Sequence, residues 1–319
     1  MNKPDQEGIM YPFNHILYVC SEQADEHALA HAVHLATNSQ AKLSIIYVLE
    51  KDNHDFEKLD EIEHSILVFQ KDKITRQCQQ LAIDPLPQVH LVMGKLYLEV
   101  IRTALREKVD LVIKEAENPH WSDSLFGSND VHLLRKCPCP LLLTKPNRPL
   151  SGYKNILATI DFGLFEQQSH LNDKICQMAF QIALGEFAQL HIANAWDIPY
   201  AGFASIWGGE NKDTEARMWQ GEQQRRYRQI EQVIQPLVLQ TEGFTQPQIH
   251  LPQGKPVDVL PPLIASHEID LVVMGTLSRT GISGMLIGNT SEEIISQLDC
   301  SVLALKPDHF ETPVTLASS

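Results

Sequence analysis

The chain has 319 residues, 43% of them hydrophobic and 21% charged, with a formal net charge of −14. This balance suits a globular protein rather than a disordered one and is long enough for two domains of ordinary size. The negative excess repels phosphate backbones and anionic lipid at long range, so neither nucleic acid nor a membrane is an expected partner; a small anion held by local backbone dipoles is still allowed.

The opening MNKPDQEGIMYPFNH carries acids and no apolar core, so it reads as no secretory signal. No run approaches the roughly 18 apolar residues of a membrane span, and the cytoplasm is the expected location. HILYVC (15–20) is an apolar strand run followed by a helical pattern, in which His27, His31 and His34 share one face. Their spacing could hold a metal, but Ala24 and Asn38 offer no good fourth ligand, so an exposed helix face is the favoured reading. AKLSIIYVLE (41–50) and VHLVMGK (89–95) are further strand runs. LEVIRTALREK (98–108) places Val100, Ile101, Ala104 and Leu105 on one helix face. VDLVIKE (109–115) and CPLLLTKP (139–146) complete the set, and KPNRPLSG (145–152) has the prolines, serine and glycine of a boundary. The six cysteines are scattered singly except for Cys137-Pro-Cys139. That is too sparse for a disulfide scaffold and too close for the usual zinc spacing, so reduced, mostly buried thiols are expected.

Beyond the boundary the pattern repeats in the same order. NILATIDFGLF with NDKICQMAFQIAL matches the first strand and helix. AQLHIANAWD (188–197) matches 41–50, IHLPQGK (249–255) matches 89–95, IDLVVMG (269–275) matches 109–115, and CSVLALKP (300–307) matches 139–146. A tandem duplication explains this order. Two domains are expected, 1–147 and 148–319, each α/β and doubly wound, with a five-stranded parallel sheet of order 3-2-1-4-5 and helices on both faces. The second half carries extra sequence between Trp196 and about Gly243. Its apolar part holds Tyr200, Phe203 and Trp207, and its charged helix has an expected buried stripe of Trp219, Tyr227 and Ile230. A flap over a ligand at 197–220, an interface, and a longer loop packed on its own domain remain open.

Ligands of doubly wound sheets bind beyond the carboxyl ends of the strands where the winding switches, between strands one and four. In the second half those strands end at Asp161 and Gly275. Asp161 could accept hydrogen bonds from ribose or adenine, hold a metal, or cap a helix. Gly275 would let a ligand approach the backbone. The loop that follows contains Ser278 and Arg279 and runs to Gly288-Asn289-Thr290, where a helix is expected to start. Thr290 with Glu293 fits a capping box, and the same helix end could take a phosphate. In the first half, Ser21 stands for Asp161 and Glu115 for Gly275, and the loop 117–130 lacks the glycine spacing, although Gly127-Ser128-Asn129 still precedes a helix. This half reads as a domain that keeps the fold without the phosphate site.

The run Gly275-Thr-Leu-Ser278, nine residues, then Gly288-Asn289-Thr290, the paired domains and the tail KPDHFETPV together resemble the universal stress protein family, over both halves of the chain. The family's nucleotide-binding branch has Gly-x2-Gly-x9-Gly-Ser/Thr after strand four; this chain departs from it at Ser278 and Asn289. The resemblance implies a five-stranded parallel α/β sandwich per half and pairing of the two domains within the chain, with a homodimer as an alternative. It also implies a role in survival under stress. The implied ligand is ATP or another adenine nucleotide, with or without Mg, held by Asp161, Gly275, Gly288, Asn289 and Thr290, with the backbone near Ala195 against adenine; the loop residues Ser278 and Arg279 are read, from their position alone, as further phosphate contacts. The expected function is nucleotide sensing or regulation rather than catalysis, since no base–nucleophile pair and no Walker-type GKS/GKT sequence is present. Carriage of an apolar small molecule and slow ATP hydrolysis are the alternatives.

Overall fold

The computed structural model describes residues 13–21, 26–50, 59–117, 128–145, 152–162, 166–197, 212–276 and 289–316. In chain order the first half gives β1 (His15–Cys20), α1 (Glu26–Ser39), β2 (Lys42–Leu49), α2 (Leu59–Gln80), β3 (Gln88–Met93), α3 (Leu96–Glu107), β4 (Leu111–Glu115), α4 (Asn129–Lys136) and β5 (Leu141–Thr144). The second half gives β6 (Asn155–Thr159), α5 (Glu166–Glu186), β7 (Gln189–Ala193), α6 (Lys212–Gln240), β8 (Gln248–His250), α7 (Pro256–Ser266), β9 (Leu271–Gly275), α8 (Asn289–Ser296) and β10 (Ser301–Leu305).

These elements gather into two compact units, one of Met1–Gly152 with Thr276–Ser319 and the other of Tyr153–Gly275. In the first unit the strands lie in the order β3-β2-β1-β4-β5 and are parallel throughout. β10 joins them antiparallel to β5, with Val302 opposite Leu143. In the second unit the order is β9-β6-β7-β8, all parallel. The expected α/β fold is therefore present, with the order 3-2-1-4-5 in the first unit and 3-2-1-4 in the second, but the sheet is mostly rather than wholly parallel. The alternation of strands and helices gave no warning of the antiparallel β10, because an apolar run such as SVLAL fits either direction.

The strands are buried because helices cover both faces. All six residues of β1 are buried, as are Leu111, Val112 and Ile113 of β4 and Leu271 to Met274 of β9; short Val/Ile/Leu runs of this kind suit a parallel sheet. Two hydrogen-bonded corners recur in both halves. The Asp110 carboxylate accepts from the backbone N–H groups of Asn14 (2.8 Å) and His15 (3.0 Å), and the Asp270 carboxylate accepts from those of Lys154 (2.8 Å) and Asn155 (3.1 Å). Each aspartate thus pins the entry of the first strand beside the entry of the fourth. Likewise the N–H of Gly94 donates to Leu49 and that of Gly254 to Trp196. Both glycines have positive φ, 151° and 136°, a region that L side chains rarely adopt.

Two expected helix faces are corrected. On α3, Val100, Ile101 and Ala104 are buried, joined by Thr103, while Leu105 is only half-buried. On α6, Ile230 is fully buried and Trp219 half-buried, but Tyr227 is 43% exposed. The inward position one residue earlier belongs to Arg226, because the 3.6-residue turn carries the stripe through 219, 226, 230 and 234. The six cysteines are free thiols, five buried and Cys139 half-buried. No helix among the described residues is long and apolar enough to cross a membrane.

Candidate functional site

The central strand of the second unit is β6, which pairs with β7 on one side and β9 on the other. Its carboxyl end is therefore the point where the winding direction switches, and Asp161 follows two residues beyond it. Asp161 is half-buried. Its backbone is clamped by Asn172 of α5: the N–H of Asp161 donates to Asn172 Oδ1 at 3.1 Å, and Asn172 Nδ2 donates to the Asp161 carbonyl at 2.8 Å. Asn172 is buried, so the amide holds the strand end firmly. Because α5 begins at Glu166, Asp161 lies too far from the helix to be its cap.

Gly275 ends β9, the strand next to Asp161. A Cβ there would sit 2.8 Å from Leu171 Cδ2 and 3.7 Å from Ile175 Cδ1. The missing side chain therefore has a packing reason, the close passage of α5 over the strand end, besides the ligand approach expected from sequence. Ala195 is half-buried, just beyond β7 and next to the buried Asn194. Ser278, Arg279 and Gly288 lie outside the described residues. Asn289 opens α8, so Thr290 falls inside the first turn, exposed, rather than at the N-cap that the capping box predicts.

Nothing in the residue pattern signals a polar lock beside this strand end. Asn194 is fully buried, and its Nδ2 donates to the Ile160 carbonyl at 2.9 Å. Its Oδ1 accepts from Arg226 Nη1 of α6 at 2.9 Å. The same guanidinium donates to Glu222 at 2.7 Å and lies over the Trp196 ring, 5.7 Å from its centroid. Trp196 also meets Trp219, their ring centres 5.4 Å apart. Hydrogen bonds from Arg225 and Arg226 hold the Glu222 carboxyl below its ordinary range. The charged helix of the insertion is thus tied to the carboxyl ends of β6 and β7. Tyr200, Phe203 and Trp207 of the expected flap lie outside the described residues.

The corresponding place in the first unit is filled by the protein's own charges. Lys114 of β4 and Asp130 of α4 are both buried and pair at 2.7 Å. Lys114 Nζ also donates to the Glu115 carbonyl at 3.0 Å. Asp130 accepts from the N–H of Glu117 at 2.8 Å, and Glu117 in turn accepts from the N–H of Asn129, the first residue of α4, at 3.2 Å. Burial pushes the Asp130 carboxyl up, with Lys114 pulling it down. The Glu117 carboxylate and the Ser128 hydroxyl, which accepts from the N–H of Val131 at 3.3 Å, therefore take N–H groups at the start of α4 that an anion would otherwise find free.

A thiol pair lies nearby in that unit. Cys137 and Cys139 Sγ are 3.7 Å apart, and the buried Lys306 donates to the Cys137 carbonyl at 2.6 Å. The hydrogen bond from Cys139 lowers the Cys137 thiol to about 7, and the same pairing pushes Cys139 up. Burial brings Lys306 down to about 8.

The sequence profile described as the universal stress protein family matches residues 12–145 and 152–306. Universal stress protein E of Escherichia coli K12 is 27% identical over 219 residues, 68% of this chain and 67% of that protein. The universal stress protein E homolog of Haemophilus influenzae is 26% identical over 310 residues, 92% of this chain and 98% of that protein. Among solved structures, a functionally unknown protein of Pseudomonas aeruginosa PAO1 is similar at 27% identity and a TM-score of 0.66, covering 94% of each chain. A universal stress protein of Archaeoglobus fulgidus shares the fold at 15% identity and a TM-score of 0.65, covering 94% of this chain and 98% of that one.

Proposed function

The chain belongs to the universal stress protein family, with two of its domains in tandem, and from that premise we propose that it is a stress-response regulator that binds an adenine nucleotide in its C-terminal domain. The domain limits proposed are 1–147 and 148–319. The nucleotide is proposed to enter at the carboxyl ends of β6 and β9, with Asp161 accepting from ribose or adenine and the backbone near Ala195 against the base. Gly275, Ser278, Arg279, Gly288, Asn289 and Thr290 are proposed for the phosphates, with or without Mg. The N-terminal domain is proposed to bind none, and the location is proposed to be the cytoplasm.

One contrast carries this reading. The first domain seals its switch point with the buried Lys114–Asp130 pair, whereas the second has Met274 and Gly275 at the positions of Lys114 and Glu115. An acidic side chain at the phosphate position has been removed, while the aspartate suited to a sugar or base is present. The proposed role is sensing rather than turnover, because the aspartate is the one titratable side chain proposed to touch the ligand's sugar or base.

Thermal unfolding of the full chain with millimolar ATP, ADP and AMP tests the site. A ligand binding only the folded state at 100 times its Kd stabilises by about 2.7 kcal/mol, which raises Tm by several degrees. The rise should shrink in Asp161→Ala and persist in Lys114→Met. If none of the three nucleotides moves Tm, the nucleotide reading is wrong. Phosphate release above background that disappears in Asp161→Ala would turn the reading to hydrolysis.

A further inference from the structure

Three histidines of the second unit converge from separate elements. His191 lies in β7, His250 ends β8, and His267 caps the carboxyl end of α7. One nitrogen from each lies within 4.8 Å of the others. His191 Nδ1 faces His250 Nε2 at 2.9 Å, and the His267 ring stands edge-on to both, its centroid 5.2 Å and 4.6 Å away. We propose that His191, His250 and His267 form a binding site for one divalent transition metal of the zinc class, with solvent supplying the remaining ligand.

Four observations favour this over a histidine cluster that merely packs. First, the tautomer of His267 is set for ligation. Its Nδ1 meets the Leu263 carbonyl at 3.1 Å, and an N–H donated there leaves Nε2 with its lone pair outward, the arrangement that orients metal-bound imidazoles. Second, the buried His191 turns its Nδ1 to His250 Nε2, so two imidazole nitrogens from neighbouring strands already point to one place. Third, the geometry needs little change: nitrogens on a tetrahedral zinc with bonds of about 2.0–2.1 Å stand about 3.3 Å apart, slightly more than the His191–His250 contact and less than the 4.8 Å span. Fourth, the site lies at a helix carboxyl end, which favours a cation.

The repeat offers an internal comparison. Ser44, His90 and Glu107 stand at the positions of His191, His250 and His267. In that half Ser44 Oγ simply bonds His15 Nε2 at 2.8 Å, and the Glu107 carboxylate pairs with Lys42 at 3.5 Å. Three imidazoles, the ligands that suit zinc, copper or nickel rather than Mg, occur together only in the second half among the described residues.

The test uses the full chain stripped with chelator, then dialysed against micromolar Zn²⁺ and assayed by elemental mass spectrometry, with Co²⁺ as a spectroscopic substitute. One equivalent should bind, at least tenfold more weakly in His250→Gln and in His267→Gln, and unchanged in His34→Gln. On the unmodified chain, Zn²⁺ should protect His250 and His267 from carbethoxylation, read by peptide mass; this arm does not depend on the variants folding. Absence of stoichiometric uptake, uptake unaltered in both variants, or no protection would each overturn the site. So would strong thiolate-to-Co²⁺ absorption in the near ultraviolet, which would assign the metal to cysteine. Nucleotide does not enter the measurement, so its result is separate from that of the nucleotide site.

Discussion

Arg226 Nη1 lies 2.9 Å from Asn194 Oδ1, and through that amide α6 is linked to the Ile160 carbonyl at the end of the central strand. Removing the amide in Asn194→Ala leaves a buried carbonyl without its donor and takes one of its two acceptors from the Arg226 guanidinium, which keeps Glu222. The expected loss is about 1–3 kcal/mol, measured by urea unfolding. Arg226→Met keeps the apolar stem and should lose less, about 1 kcal/mol, but should speed proteolysis within 212–240. Equal proteolysis of Arg226→Met and the parent chain would show that α6 does not depend on this lock.

Gly275 tests whether packing or ligand approach explains its missing side chain. Gly275→Ala puts a methyl 2.8 Å from Leu171 Cδ2, and overpacking of this kind costs about 1–3 kcal/mol. Leu171→Ala in the same chain should remove part of that cost, so the double variant should be less unstable than the two single losses added. Strict additivity would mean the two residues do not compete for space.

The sealed first domain makes a different forecast. Lys114→Met leaves the Asp130 carboxylate buried and unpaired, and breaking one side of such a pair costs about 3–5 kcal/mol. Met274 and Ser291 stand at the corresponding positions of the second half. The double variant Lys114→Met with Asp130→Ser should therefore recover much of the loss, as measured by chemical denaturation. Additive losses would show that the two charges are stabilised by groups other than each other.

Acid should weaken the metal-free protein through the histidine cluster. Burial lowers the His191 imidazole to about 4, against about 6.5 in an unfolded chain. Between those values the unfolded state holds more protons, so stability falls as pH drops from about 6.5 to 4 and is fully present above 6.5. The full effect is on the order of 3 kcal/mol, and the lowered His250 adds in the same direction. Denaturation midpoints should therefore fall more steeply over this range in the parent chain than in His191→Asn; parallel curves would rule the assignment out.

What was legible in the sequence was whatever depends on period and order. The repeated apolar runs fixed the strand sequence, and with it the placing of Asp161 and Gly275 at the ends of adjacent strands. The recurring Asp110 and Asp270 were visible too, in VDL and IDL, although their grip on the entry of the first strand depends on contacts about 95 and 115 residues away in sequence. Less legible was anything set by side-chain reach. Arg226 looked like one charge among many on a solvated helix, and Tyr227 the better inward residue, because composition ranks tyrosine above arginine for burial. Asn194 sat inside an apolar run with no marker of its role. His191, His250 and His267 are 59 and 17 residues apart in the sequence, so no local spacing rule could join them. The triplet that did have helical spacing, His27, His31 and His34, gives no such cluster among its described members: His34 is exposed and bonds Asn38 at 3.0 Å.

The antiparallel seating of β10 on β5 bears on how the chain is made. The first unit is discontinuous: its last strand is encoded more than 150 residues after the strand it joins. During synthesis β5 leaves the ribosome with an open flank of unpaired backbone groups, and such flanks invite pairing with other chains. The stretch that closes it is among the last to emerge. A nascent or truncated chain ending before residue 300 would carry that open flank, and its solubility, more than its ligand affinity, would register the loss.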